Sequence, residues 1–199
     1  MHVICSDLEG VWIPEIWVNV AKKTGIDALK LTTRDIKDYD ELMTYRLKIL
    51  KEHSITLKDI QDVIATLKPL DGAYDVIKWL QSQSRLIIVS DTFAEFADPL
   101  MKQLGYPTLF CHSLVVDENN MIVDYKLRQE DPKRQVVKSL QSLKYEVIAF
   151  GDSYNDMTML DQAEKAFLYK PPQVVIDDYP QYEIATNYDE MRTLLKKMF

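Results

Sequence analysis

Three short runs of mostly branched apolar residues each end on a small polar or acidic residue. They are Val3-Ile4-Cys5-Ser6-Asp7, Leu86-Ile87-Ile88-Val89-Ser90-Asp91 and Val147-Ile148-Ala149-Phe150-Gly151-Asp152. Runs this short, rich in Val and Ile and without polar alternation, read as strands buried on both faces. Helical periodicity separates them over residues 72–83, 93–104 and 132–144. Such alternation specifies a parallel α/β sheet of the Rossmann-like type. A weaker strand is expected over Thr108–Cys111. Val115-Val116 and Ile122-Val123, joined through Asp117-Glu118-Asn119-Asn120, read as a hairpin. Late strands are expected near Ala166–Tyr169 and Glu183–Thr186, with a closing helix over 189–198.

The stretch between the first two strands is far longer than a simple crossover needs. Its excess, residues 14–70, reads as helical throughout, with helices over 14–23, 39–53 and 56–66. The expected organisation is an α/β core of residues 1–13 and 71–199 with a small helical cap domain of 14–70 inserted over one end of the sheet.

With 199 residues, 47% hydrophobic and 28% charged, the chain has an ordinary globular composition and can bury a real core. A formal net charge of −7 without a basic run argues against binding nucleic acid or an anionic membrane surface. The N-terminal apolar run stops at Asp7 and has no basic start, unlike a secretory signal. No apolar stretch approaches the roughly 20 residues that span a bilayer. Cys5 and Cys111 both sit in apolar surroundings, as reduced thiols of a cytoplasmic protein would.

Ligands of open parallel sheets bind beyond the carboxyl ends of the strands. Here those ends carry Asp7, Ser90, Asp91 and Asp152. Any one of them reads equally as a turn or helix cap. Several carboxylates gathered at one edge repel each other unless a cation sits among them, and such oxygen ligands suit Mg²⁺. In Asp7-Leu8-Glu9-Gly10, one carboxylate is placed to attack a phosphoryl group and the other to move protons. Ser90-Asp91-Thr92 offers a hydroxyl and backbone N–H groups to phosphate oxygens. Lys133 and Arg134 follow Pro132 at a helix start, where cations oppose the helix dipole unless an anion is bound. Gly151-Asp152-Ser153-Tyr154-Asn155-Asp156 carries more polar side chains than capping requires. Asp152 is a candidate metal ligand there, supported by Asn155 and Asp156.

The order of these clusters resembles the haloacid dehalogenase superfamily: Asp-x-Asp, then Ser or Thr at a strand end, then Lys, then Gly-Asp-x-x-x-Asp. Gly-Asp-Ser-x-Asn-Asp and Val-Ser-Asp-Thr-Phe are similar to its phosphoserine phosphatase branch. Asp-Leu-Glu-Gly-Val, Pro-Glu-Ile-Trp and Leu-Arg-Gln-x-Asp-Pro-Lys-Arg-Gln are most similar to bacterial members that also transfer phosphoryl groups to homoserine. The likeness weakens after about residue 165. It implies an enzyme of amino-acid biosynthesis acting on phosphoserine through an aspartyl-phosphate, with water or homoserine as acceptor; the alternatives are the same chemistry on another small phosphomonoester, or a phosphometabolite-binding module without turnover. It implies Asp7 as nucleophile and Glu9 as acid/base. Ser90, Asp91, Lys133 and Asn155 would bind substrate. Mg²⁺ would be held by Asp7, Asp152 and the Glu9 backbone carbonyl, with Asp156 in support. In the cap, Glu15 would meet the substrate ammonium and Arg46 its carboxylate. Glu9 stands where most members carry Asp. His2, His53 and His112 are scattered and receive no role, and Trp12, Trp17 and Trp79 read as packing residues. The resemblance leaves the oligomeric state open.

Overall fold

The computed structural model describes residues 1–33, 35–36 and 38–199. Its strands are β1 His2–Ser6, β2 Arg85–Phe93, β3 Thr108–Val116, β4 Ile122–Lys126, β5 Glu146–Gly151, β6 Lys165–Tyr169 and β7 Glu183–Ala185. They form one sheet in the order β4-β3-β2-β1-β5-β6-β7. Every pairing is parallel except β3 with β4. The chain leaves β1 to build β2 on one side and returns to build β5 on the other. The order therefore switches direction at β1, and the carboxyl ends of β1, β2 and β5 frame the crevice where such sheets bind ligands.

The α-helices are α1 Ile16–Thr24, α2 Tyr39–Glu52, α3 Leu57–Ile64, α4 Ala73–Gln83, α5 Ala94–Gln103, α6 Pro132–Ser142, α7 Met157–Gln162, α8 Gln173–Asp178 and α9 Tyr188–Met198. Successive strand residues face opposite sides of the sheet. Ile4, Ile88 and Ile148 pack with α4, α5 and α9 on one face. Cys5, Val89 and Ala149 pack with α6 and α7 on the other. Helices α1–α3 contribute Ile16, Val20, Met43, Leu50, Ile60 and Ile64 to the first of these cores. Trp17 of α1 meets Phe96 of α5 edge-on, with ring centroids 5.6 Å apart. Thr56 and Asp59 form a reciprocal capping box that starts α3, the sequence signature of a helix N-terminus.

Several sequence expectations need correction. β2 runs through Phe93, so α5 starts at Ala94. The weak strand and the first hairpin arm are one continuous β3, because a register shift after Val89 lets Phe93 pair with His112 before the strand turns to β4. The insert is not helical throughout: a 3-10 turn covers Asp27–Lys30, and residues 31–33, 35–36 and 38 form no α-helix. The remaining positions of that stretch, Arg34 and Lys37, lie outside the described residues. Helix α8, just after Pro171-Pro172, was not anticipated. Among the described residues, no helix is long and apolar enough to cross a membrane.

Candidate active site

Strand geometry brings the chemistry together. The Asp7 backbone N–H donates to the Phe150 carbonyl at 3.1 Å, locking the end of β1 against β5. The chain then turns through Leu8–Ile13, and Gly10 adopts φ +74°. A Cβ on Gly10 would stand 2.7 Å from Asp152 Oδ2, so this position needs glycine both for its backbone and for its space. At the end of β5, a Cβ on Gly151 would fall 2.2 Å from Asp156 Cγ. That gap admits the Asp156 carboxylate, whose Oδ2 accepts from the backbone N–H groups of Asp152 and Ser153 at 2.9 and 3.1 Å.

Lys133 sits in the first turn of α6 and is only 2% exposed. Its ammonium donates to Asp7 Oδ1 at 2.9 Å and to Asp156 Oδ1 at 2.7 Å, and it lies 3.5 Å from Asp91 Oδ2. Burial by itself would strip its proton, but Asp156, Asp7 and Asp91 hold it charged, well above the usual lysine range. It points into the site rather than meeting the dipole of its own helix. Its neighbour Arg134 faces outward and pairs with Gln162.

Burial raises the Asp7 carboxyl well above the usual range; Lys133 opposes the shift, while Asp156 and Asp152 add to it. Carboxylate oxygens of Asp7, Asp152 and Asp156 all lie within 4.8 Å of one another. Three buried carboxyl groups against one ammonium leave excess negative charge on hard oxygen donors. That donor set fits a divalent cation such as Mg²⁺. Asp156 is already engaged by Lys133 and two backbone amides.

Asp7, Glu9, Ser90, Asp91, Asp152 and Asn155 line one cleft together with Glu15 and Arg46 from the helical insert. Lys133 and Asp156 are buried beneath it. The residues to which the family resemblance gave roles therefore meet at one place, while Arg134 stays outside it. Ser90 and Asp91 do not cap the following helix, since Phe93 occupies that N-cap position without a side-chain bond. Instead Ser90 Oγ accepts from Thr92 N–H at 3.2 Å and Asp91 Oδ2 accepts from Asn155 Nδ2 at 2.8 Å. Lys133, then the hydrogen bonds from His112 and Asn155, hold Asp91 ionised despite its burial.

Glu9 Oε2 accepts from the Ile16 N–H at 2.7 Å, so Glu9 supplies the N-terminal cap of α1. Glu15, at the N-cap position itself, makes no capping bond, which leaves its carboxylate to the cleft. Burial, then the Glu15 charge, pushes the Glu9 carboxyl up to about 8. The Arg46 guanidinium is 4.6 Å from the centroid of the Trp17 ring, and its Nη2 donates to the Leu31 carbonyl at 2.8 Å. Its Nε is buried without a partner. Burial lowers Arg46 to about 10.

Three site residues escaped the sequence reading. Tyr39, in the first turn of α2, lines the cleft and donates its hydroxyl to the Asp91 carbonyl at 2.8 Å. His112, given no role from sequence, is buried on β3 with Nε2 3.5 Å from Asp91 Oδ1, while its Nδ1 accepts from the Arg128 N–H at 3.1 Å. Trp17 packs as expected but also carries Arg46. Each lacks a local motif, so only tertiary pairing reveals it.

A family model for haloacid dehalogenase-like hydrolases matches residues 3–164. The chain belongs to the haloacid dehalogenase-like hydrolases. Phosphoserine phosphatase ThrH of Pseudomonas aeruginosa is 55% identical over 192 residues, covering 96% of this chain and 94% of that one. A phosphoserine phosphatase of Pseudomonas syringae pv. tomato is 53% identical over 96% of this chain and 81% of its own length. Among solved structures, a substrate-bound phosphoserine phosphatase complex superposes with a TM-score of 0.78 at 17% identity, covering 98% of this chain and 97% of that one. At that identity the likeness speaks for the fold of this hydrolase. The two Pseudomonas relatives also span its C-terminal portion, where the recognisable motifs run out.

Proposed function

We propose that this hydrolase takes the phosphoryl group of O-phospho-L-serine onto Asp7 and passes it to water or to the hydroxyl of homoserine. Asp7 Oδ attacks phosphorus and the bond from phosphorus to the serine oxygen breaks. Glu9 gives its proton to that departing oxygen. In the second half, the acceptor oxygen attacks phosphorus, its proton goes to Glu9 and the Asp7 carboxylate is released. Ser90, Lys133 and Asn155 hold the phosphoryl oxygens, and Asp91 keeps Lys133 and Asn155 in place. Asp7 and Asp152 would hold Mg²⁺ through their carboxylates and Glu9 through its backbone carbonyl, offsetting phosphate charge as positioning-dominated phosphoryl transfer requires.

Residues 14–70 act in this reading as a cap that covers the site and limits water during the first step. Glu15 reads the substrate ammonium and Arg46 its carboxylate. The observation that carries the assignment is the presence of Glu15 and Arg46 in the same cleft as Asp7: a cation and an anion facing a phosphoryl site suit a phosphorylated amino acid. The names of the Pseudomonas relatives support it. Phosphate release should be compared across phosphoserine, phosphoethanolamine and glycerol phosphate in the wild type and Arg46→Ala. The expected result is a phosphoserine preference that Arg46→Ala reduces about 100-fold in kcat/KM, the loss of a charge-assisted bidentate contact. Equal loss on phosphoethanolamine, which lacks a carboxylate, would overturn the role of Arg46. No preference for phosphoserine in the wild type would overturn the donor.

A further inference from the structure

The strongest unexplained contact at the site comes from the far end of the chain. Helix α9 starts at Tyr188, and its position is set twice. Asn187 Oδ1 accepts from the N–H groups of Asp189 and Glu190, both at 3.0 Å, and Glu190 Oε2 accepts from Thr186 N–H at 2.7 Å. The Asn187 cap, with Glu190 holding the Thr186 N–H just before it, fixes where Tyr188 emerges. Its ring stacks on Trp12 at 5.7 Å and on Tyr169 at 5.3 Å, with interplanar angles of 15° and 8°. Its hydroxyl donates to the Val11 carbonyl at 2.7 Å.

Val11 and Trp12 belong to the turn that carries Glu9. Within that turn the Trp12 N–H donates to Leu8 O at 2.8 Å and the Gly10 N–H to Ile13 O at 2.9 Å. Trp12 Nε1 donates to Ser6 Oγ at 2.8 Å, beside the nucleophile. The chain returning from the helical insert meets the same point: Leu70 N–H donates to Trp12 O at 2.9 Å, and a Cβ on Gly72 would lie 3.5 Å from the Tyr188 ring. The outgoing and incoming connections of the insert thus both rest against Tyr188 and Trp12.

We infer that Tyr188 is a positioning residue for Glu9: its hydroxyl pins the Val11 carbonyl and so fixes the turn from which the acid/base reaches the departing oxygen. The inference rests on the acid role proposed for Glu9. Tyr188 touches no reacting atom and acts through the turn. It gives the C-terminal helix a part in the chemistry.

Tyr188→Phe keeps the stack and removes only the hydroxyl. Its test compares donors that need an acid to different degrees. A nitrophenolate leaves from p-nitrophenyl phosphate with little protonation, whereas an alkoxide leaves from phosphoserine only as it is protonated. The ratio of kcat/KM on phosphoserine to that on p-nitrophenyl phosphate does not depend on how much of the enzyme is folded. The expected result is a fall in this ratio of about fivefold or more. Tyr182→Phe, which removes a surface hydroxyl bonded to Asp161, should leave it unchanged. An unchanged ratio in Tyr188→Phe, with or without a lower Tm, would overturn the inference and leave the residue as packing. A wild type that cleaves p-nitrophenyl phosphate but not phosphoserine would instead sink the donor proposed above. The comparison then runs with whichever alkyl phosphate from the same panel is cleaved.

Discussion

At the scale of single residues, Lys133 holds the site together electrostatically. It is buried and shared among Asp7, Asp91 and Asp156. Replacing it with Met leaves those carboxylates facing one another without a counter-charge. The expected cost is about 3–5 kcal/mol of stability, as for other broken buried pairs, read by urea denaturation at neutral pH. The same variant should lose about 100-fold or more in kcat, the usual effect of removing one donor from a charge-stabilising site. Glu9 presents a different test. It caps α1 through Ile16 N–H, a bond that the shorter Asp cannot reach without moving. Glu9→Asp is therefore expected to change the ratio of phosphohomoserine to free phosphate formed with homoserine present. An unchanged ratio would show that the extra methylene has no bearing on the acceptor. Asp7, Ser90, Asp91, Lys133 and Asp152 were legible in the sequence because each sits at a strand end or helix start with its own local pattern. His112 and Tyr39 were not. A histidine in the middle of a strand and a tyrosine in a first helical turn look like ordinary packing until β3 and α2 bring them to Asp91.

At the scale of elements, strand ends and helix starts do the positioning. The end of β5 shows how tight this is: Gly151 leaves room for the Asp156 carboxylate and nothing larger than hydrogen. Gly151→Ala should push Asp156 off Lys133 and off the Asp152 and Ser153 amides, lowering both Tm and kcat. Helix α9 permits a milder test away from the cleft. Asn187→Ala removes the acceptor for two backbone N–H groups and should cost about 1 kcal/mol, seen as a shifted urea midpoint with an unchanged slope. The buried strands and amphipathic helices were readable because burial on both faces and helical periodicity leave plain patterns. The element boundaries were less so. β3 joins two segments that looked separate, since His112 and Ser113 interrupt the apolar run and only the pairing with β2 and β4 shows that one strand passes through them. Helix α8 is six residues long, too short to leave a periodic signature.

At the scale of the whole molecule, the site lies between two parts of the chain that share one hydrophobic core. Asp7 and Asp152 follow β1 and β5, and Lys133 comes from the first turn of α6, while Glu15 stands at the N-cap of α1 and Arg46 lies on α2. The family and its parallel sheet were legible because the motifs keep their order along the chain. How the last 35 residues serve the site was not, because their contribution through Tyr188 is a contact 177 residues distant in sequence. Metal binding should be a whole-molecule property as well. A cation that binds the folded acidic cluster stabilises the fold by mass action, about 2.7 kcal/mol at a hundredfold excess over its Kd. Mg²⁺ should accordingly raise Tm in the wild type and EDTA should reverse it. Asp152→Asn should lose most of that shift, whereas an equal shift in the variant would place the ion elsewhere.

The central claim is that Asp7 carries the phosphoryl group. Enzyme mixed with O-phospho-L-serine and Mg²⁺, quenched in acid and digested, should yield a peptide containing Asp7 heavier by one phosphoryl group. Asp7→Asn should yield none and release no phosphate. Phosphate release without any modified Asp7 peptide, or undiminished release by Asp7→Asn, would contradict the account.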